Sequence, residues 1–164
     1  MSEFFTASMD SPVGELTLAV DADGALAALL FSEVETLPPN LGPDAEIIPD
    51  IRRTSAAIAE LRAYFAGELR VFTTPAAPVI GTPFQRRVWQ ALTKIPFGKT
   101  WSYARLAEET GSVARAVGSA NGANPVSIVV PCHRVIGADG SLTGYAGGLE
   151  RKRHLLIHEG ALPG

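Results

Sequence analysis

Through the first third of the chain, apolar residues come in short runs with two-residue alternation. Phe4–Met9, Glu15–Val20 and Ala25–Phe31 predict three β-strands. Asp21-Ala22-Asp23-Gly24, between the second and third, is turn chemistry, so an antiparallel sheet is expected. Leu37–Pro49 carries four prolines with Asn40 and Gly42 and reads as an irregular loop. The period then lengthens. From about Asp50, Ile51, Ile58, Leu61 and Phe65 share one helical face, and Gly67 lies just past its end.

The second half is patterned as helices. Thr82-Pro83-Phe84-Gln85 is a helix start, with Thr as N-cap, Pro at the first helical position and Gln three after the cap. Phe84, Val88, Trp89 and Leu92 form its apolar face, and Pro96-Phe97-Gly98 stops it. Ser102 caps a helix over Tyr103–Thr110, with Leu106 and Ala107 inward and Gly111 as terminator. Ser112 is expected to cap another through about Asn121. Helix, glycine turn, helix is the helix-turn-helix pattern. In its second helix, Ala114, Ala116, Gly118, Ser119 and Ala120 are small and Arg115 is the only long side chain. Reading base edges in the major groove takes several Gln, Asn, Arg or Lys side chains. This helix instead suits close approach to a surface, whether DNA bound without sequence preference or a neighbouring helix.

Thr73–Gly81, rich in Pro, Thr and Ala, marks a boundary, giving domains over 1–75 and 82–164 joined by a linker at 76–81. Charge changes sign there. Residues 1–81 hold four Lys/Arg against twelve Asp/Glu; residues 82–164 hold ten against five. The net charge of −3 therefore hides an acidic half joined to a basic one, as a chain with one nucleic-acid face would show. No apolar run is long enough to span a bilayer, and the N-terminus lacks a signal-peptide pattern. With a single Cys among 164 residues, a reducing cytoplasmic or nucleoid location is expected.

That cysteine sits in Pro131-Cys132-His133-Arg134-Val135. It cannot be half of an internal disulfide or of a two-cysteine metal clasp. Ser127-Ile128-Val129-Val130 before it reads as a buried strand, which Pro131 ends or bends. Such a break lets Cys132 and His133 serve one site, because neighbours in a straight strand point to opposite faces. On this local pattern alone, a nucleophile and a small buried hydrophobe stand equally.

Taken together, the motifs resemble the O6-alkylguanine-DNA alkyltransferases (methylated-DNA–protein-cysteine methyltransferases). The resemblance runs from Thr82 to Gly160 through Phe84-Gln85-Arg86-Arg87-Val88-Trp89, Ile95-Pro96-Phe97-Gly98, Ser102-Tyr103, Ala114-Arg115-Ala116-Val117-Gly118, Asn124-Pro125 and Pro131-Cys132-His133-Arg134-Val135-Ile136-Gly137, and ends with Gly144-Tyr145-Ala146-Gly147-Gly148 and Leu155-Leu156-Ile157-His158-Glu159-Gly160. The acidic half matches mainly through Ser11-Pro12-Val13-Gly14 and Tyr64-Phe65-Ala66-Gly67. The resemblance implies a ribonuclease H-like α/β domain with an antiparallel sheet plus helix. A mostly helical, winged-helix-like domain containing the helix-turn-helix would follow it.

It also implies an activity: irreversible transfer of an alkyl group from O6-alkylguanine in DNA, with O4-alkylthymine a further candidate, to Cys132. The base must first be flipped out of the stack. A thiol is only a few per cent ionised at neutral pH. In the family's scheme His133 favours the thiolate, directly or through one water, and is oriented by Glu159. Independently, Glu159 follows Lys152, Leu155 and Leu156 at helical spacing, on or beside the inward face. The resemblance makes Asn124 a hinge between the recognition helix and the Cys132 segment. It makes Arg115 the residue that fills the gap in the duplex, with Ala116 and Gly118 against DNA. Tyr103 pushes the 3′ phosphate and hydrogen-bonds the base; Cys132 and Val135 backbone groups take its amine; Tyr145, Ala146 and Gly147 shape the O6 side. The reaction needs no cofactor and no metal. The partner is double-stranded DNA, bound with little sequence specificity through the minor groove by a monomer.

One departure stands out. Only Ser112-Val113-Ala114 separate Gly111 from Arg115, where the family has a longer segment, often with Pro. Rival readings are a non-catalytic lesion-binding relative, a helix-turn-helix regulator and a Cys-His hydrolase. The first would lack the cysteine, the second would need base-reading side chains, and the third would turn over and ignore DNA.

Overall fold

A computed structural model describes residues 2–164 (for Pro38, the backbone alone), so Met1 lies outside the described residues. The chain divides into two compact units, the second beginning at Gly81.

In the first unit, β1 (Ser2–Met9), β2 (Leu16–Val20) and β3 (Leu26–Phe31) form the expected antiparallel ladder. Leu18 faces Leu29 and Leu16 faces Phe31 across β2 and β3. All six residues of β3 are buried, which explains its continuous apolar run. The expected loop over Leu37–Pro49 is corrected: Pro38–Leu41 forms a single helical turn, α1, and Ala45–Pro49 forms a strand, β4. This strand pairs parallel to β1, from Ser2 beside Ala45 to Thr6 beside Pro49, in a sheet ordered β3-β2-β1-β4. The sheet is therefore mixed rather than wholly antiparallel. Pro49 is tolerated because β4 is an edge strand with one unpaired side.

The helix expected from Asp50 begins later, as α2 (Ser55–Phe65). The Asp50 carboxylate accepts the Arg52 and Arg53 backbone N–H groups and holds this stretch in turns, leaving Ile51 68% exposed. Tyr64, not Phe65, is the fully buried aromatic at the far end. Glu60 on α2 accepts backbone and hydroxyl hydrogen bonds from both Thr73 and Thr74. Slight burial would raise its pKa, but these donors pull it down to about 2. Beyond them, Leu26 donates to Pro75 and Ala77 donates to Leu26, so the start of the proline-rich segment pairs with β3.

The second unit opens with α3 (Pro83–Leu92). Thr82 and Gln85 form the reciprocal capping box, and Val88, Trp89 and Leu92 are buried. A short strand, β5 (Trp101–Ser102), leads into α4 (Tyr103–Thr110), capped by the Ser102 hydroxyl and ended by Gly111 at φ 66°. The next helix, α5, spans Ala114–Gly122. Its N-cap is Val113, which has no side-chain oxygen, in place of the expected Ser112; the short turn leaves Val113 extended and 65% exposed. The Trp89 indole N–H donates to the Ala120 carbonyl at 2.8 Å and locks α3 onto α5.

The predicted strand over residues 127–130 is also corrected: the segment is a coil of tight turns. Ile128 sits at φ 70°, a rare and strained conformation for a β-branched residue, where Val129 N–H bonds back to Ser127 O. The apolar run is buried, as expected, but Asn124 satisfies its backbone where strand neighbours would have done so. Its Oδ1 accepts from Val126 N–H, and its Nδ2 donates to Val130 O at 2.8 Å. A 3₁₀ turn over Cys132–Arg134 follows, then β6 (Val135–Ile136), parallel to β5, and finally α6 (Leu149–His158).

Candidate active site

Cys132, His133 and Arg134 occupy the three positions of the 3₁₀ turn, and all three are buried. Pro131 does not end a strand here. It shapes a tight turn in which Cys132 N–H bonds to Val130 O, and the 3₁₀ geometry turns successive side chains off one another.

Glu159, the C-cap of α6, comes to this turn from the far end of the unit. His133 Nε2 lies 2.9 Å from Glu159 Oε2, and neither side chain is exposed. A carboxylate can only accept, so Nε2 carries the proton and Nδ1 holds the basic lone pair. Nδ1 is buried and has no hydrogen-bond partner among the described residues. Burial lowers the proton affinity of His133, partly offset by Glu159 and reinforced by the charges of Arg134 and Lys152. The imidazole is therefore neutral at physiological pH and able to take a proton.

Glu159 has a second partner. Arg134 Nε and Nη2 bond its two oxygens at 2.7 and 2.9 Å, and Nη1 bonds the Ile95 carbonyl at 2.7 Å. Burial alone would raise the Glu159 pKa, but His133 and Arg134 hold it well below the usual carboxylate range. Arg134 belongs to the motif yet carried no role in the sequence reading. Lys152 was read only as a marker of an inward helix face, and it is fully buried. Its Nζ donates to Thr143 O at 2.8 Å and Gly144 O at 3.3 Å. Burial pushes its pKa down to about 8, opposed by its attraction to Cys132. Neither residue carried a local signal of its partners, which lie 8 to 39 residues away.

The loop before α6 brings the remaining predicted residues near. Tyr103 Oη donates to Thr143 O at 3.1 Å, the same carbonyl that Lys152 holds. Tyr145 is half-buried, Ala146 exposed and Gly147 buried, with the Gly147 carbonyl accepting from Arg151. Val135 N–H closes the 3₁₀ turn onto Cys132 O, and Asn121 Nδ2 reaches the same oxygen at 3.3 Å. Asn124 Nδ2 donates to Val130 O, the same oxygen that accepts from Cys132 N–H. Arg115 is exposed in the first turn of α5, apart from the buried cluster, and Ala116 and Gly118 are half-buried on the same helix. A Cβ added at Gly118 would meet only the Tyr103 ring, at an ordinary 3.8 Å, so packing within the protein does not require glycine there. Among the described residues, no group of three His, Cys, Asp or Glu could hold a metal ion, and no helix is long and apolar enough to cross a membrane.

Two family models match the chain. The DNA-binding domain of 6-O-methylguanine DNA methyltransferase matches residues 83–161, and its ribonuclease-like domain matches residues 5–78. The methylated-DNA–protein-cysteine methyltransferase of Mycobacterium tuberculosis is 49% identical over 151 residues, covering 91% of this chain and 88% of that protein. Its Salmonella typhimurium counterpart is 61% identical over 105 residues, covering 63% of this chain and 61% of that protein. The crystal structure of the Mycobacterium tuberculosis O6-methylguanine methyltransferase superposes with a TM-score of 0.83 at 47% identity, over 98% of this chain and 94% of that one. That of Mycobacterium tuberculosis OGT in complex with DNA gives 0.82 at 46%, over 97% and 93%. A sheet-plus-helix unit followed by a helical unit is thus shared with these structures, and the chain belongs to the 6-O-methylguanine DNA methyltransferase family.

Proposed function

We propose that the protein repairs DNA by moving the alkyl group of O6-alkylguanine irreversibly onto Cys132. The observation that carries this reading is the Glu159–His133 pair: a neutral imidazole, on the residue next to the lone cysteine, with its Nε2 proton committed to a carboxylate and its Nδ1 lone pair buried and unpartnered among the described residues. The related proteins named as methylated-DNA–protein-cysteine methyltransferases support it.

His133 Nδ1 takes the thiol proton, directly or through one water, and the Lys152 ammonium steadies the thiolate. Sulfur attacks the alkyl carbon and a C–S bond forms. The C–O6 bond breaks, its electron pair stays on the base, and the proton returned to N1 leaves unmodified guanine. The product is a thioether, which no residue of the cluster can cleave. Each molecule therefore acts once, and the balance calls for no cofactor or metal.

The carbon lies inside the base stack, so double-stranded DNA is the partner and the base must be extruded. The small side chains of α5 suit close approach to the minor groove with little sequence readout, Ala116 and Gly118 lying against the backbone and Arg115 filling the vacated stack. Tyr103 presses on the flanking phosphate and hydrogen-bonds the base after releasing Thr143 O. Cys132 and Val135 backbone groups take the exocyclic amine, and Tyr145, Ala146 and Gly147 enclose the O6 side. Asn124 acts as the hinge between α5 and the turn carrying Cys132. The protein works as a monomer in the cytoplasm, on nucleoid DNA.

Intact mass after mixing with excess DNA carrying O6-methylguanine tests this. A gain of one methylene that stops at one per molecule and is absent in Cys132→Ser is expected. Tight lesion binding without any gain would refute transfer and favour a lesion-flagging role.

A further inference from the structure

Asn121 lies on α5 and is 3% exposed. One end of its amide is committed, since Nδ2 donates to the Cys132 carbonyl at 3.3 Å. The other end, Oδ1, is buried and accepts no hydrogen bond from any described residue. A buried acceptor left unmet is costly, and leucine would fill nearly the same space without that cost. An acceptor tethered beside the nucleophile's own peptide suits a donor that arrives with the substrate.

The lesion offers few donors. In O6-alkylguanine the N3 and N7 atoms accept, alkylation of O6 leaves N1 without a proton, and the C2 amine is the one donor of the base. With the alkyl carbon at the sulfur of Cys132, that amine needs acceptors close to the same turn. Resting on the transfer reaction proposed above, in which Cys132 and Val135 backbone groups take one N–H of the C2 amine of the flipped base, we infer that Asn121 is a specificity-determining residue whose Oδ1 accepts the other N–H. Its bond to Cys132 O fixes the amide so that the acceptor stands ready, and places one substrate contact on the helix that meets DNA.

The test is single-turnover methyl transfer from two duplexes, one carrying O6-methylguanine and one O6-methylhypoxanthine, which lacks the amine. Wild type should favour the guanine lesion by at least about threefold to tenfold, the worth of one neutral hydrogen bond. Asn121→Leu should lose that increment by slowing on the guanine lesion alone, and Asn121→Ala removes the same oxygen if the leucine variant does not fold. Asn121→Asp, which keeps an acceptor oxygen, should slow on both duplexes and retain the preference. A wild type without preference, or a leucine or alanine variant slowed equally on both duplexes or on neither, overturns the inference. Failure of wild type to transfer from either duplex would instead overturn the proposed function.

Discussion

Replacing Arg134 with Met while Glu159 stays in place should destabilise the C-terminal unit severely. Arg134 and Glu159 are 7% and 5% exposed and share two short hydrogen bonds, so the variant leaves a buried carboxylate without its guanidinium counter-charge. Removing one member of a buried pair costs about 3–5 kcal/mol, and the Ile95 carbonyl loses its donor as well. A unit of this size has roughly 4–13 kcal/mol in total, so from about a quarter to all of its stability is at stake. Glu159→Leu should lose a similar amount, stranding the guanidinium. Combining the two removes both charges, and the double variant should be more stable than the sum of single losses predicts by at least about 1.5 kcal/mol. Recovery is partial, because His133 Nε2 then lacks its acceptor. Both tryptophans, Trp89 and Trp101, lie in this unit, so urea unfolding followed by tryptophan fluorescence reports on it alone. An R134M variant within about 1 kcal/mol of wild type, or single losses that simply add, would refute the account of this cluster.

Acid should weaken both units, in different windows. Burial lowers the His133 pKa, so the unfolded chain binds the extra proton first, and the second unit loses stability as pH falls below about 6.5. Glu159 and Glu60 have depressed pKa values, so their contributions, present above about 4.5, fade as pH falls further; Glu60 titrates at about 2. Denaturation midpoints across pH 3–8 check this, and a flat profile would contradict it. If the Lys152 ammonium steadies the thiolate, the transfer rate should decline as pH rises through about 8, and Lys152→Met should be slow at all pH values without that decline. An unchanged alkaline limb in this variant would remove Lys152 from the mechanism. Ser102→Ala should cost about 1 kcal/mol by uncapping α4, read by the same fluorescence assay.

Features encoded within a few residues were legible in the sequence. The Thr82–Gln85 capping box, the Ser102 cap and the Gly111 terminator are local bargains between a side chain and the next turn of backbone, and α3 and α4 start where they predict. The three strands followed from their short apolar runs and the turn at Asp21–Gly24, and the resemblance singled out His133 and Glu159, which the structure brings into contact. The misreadings have physical causes. An apolar, β-branched run such as 127–130 signals burial but not conformation, and Asn124 satisfied its backbone in turns instead of a ladder. Asp50 captured two N–H groups and delayed α2, while β1 recruited the proline-rich segment as a parallel edge strand. Tertiary structure alone decided that Arg134, Lys152 and Asn121 are buried around Cys132 and Glu159. A polar side chain declares nothing about burial until distant partners offset its lost hydration, and those partners meet only when α5, the Cys132 turn and α6 pack together.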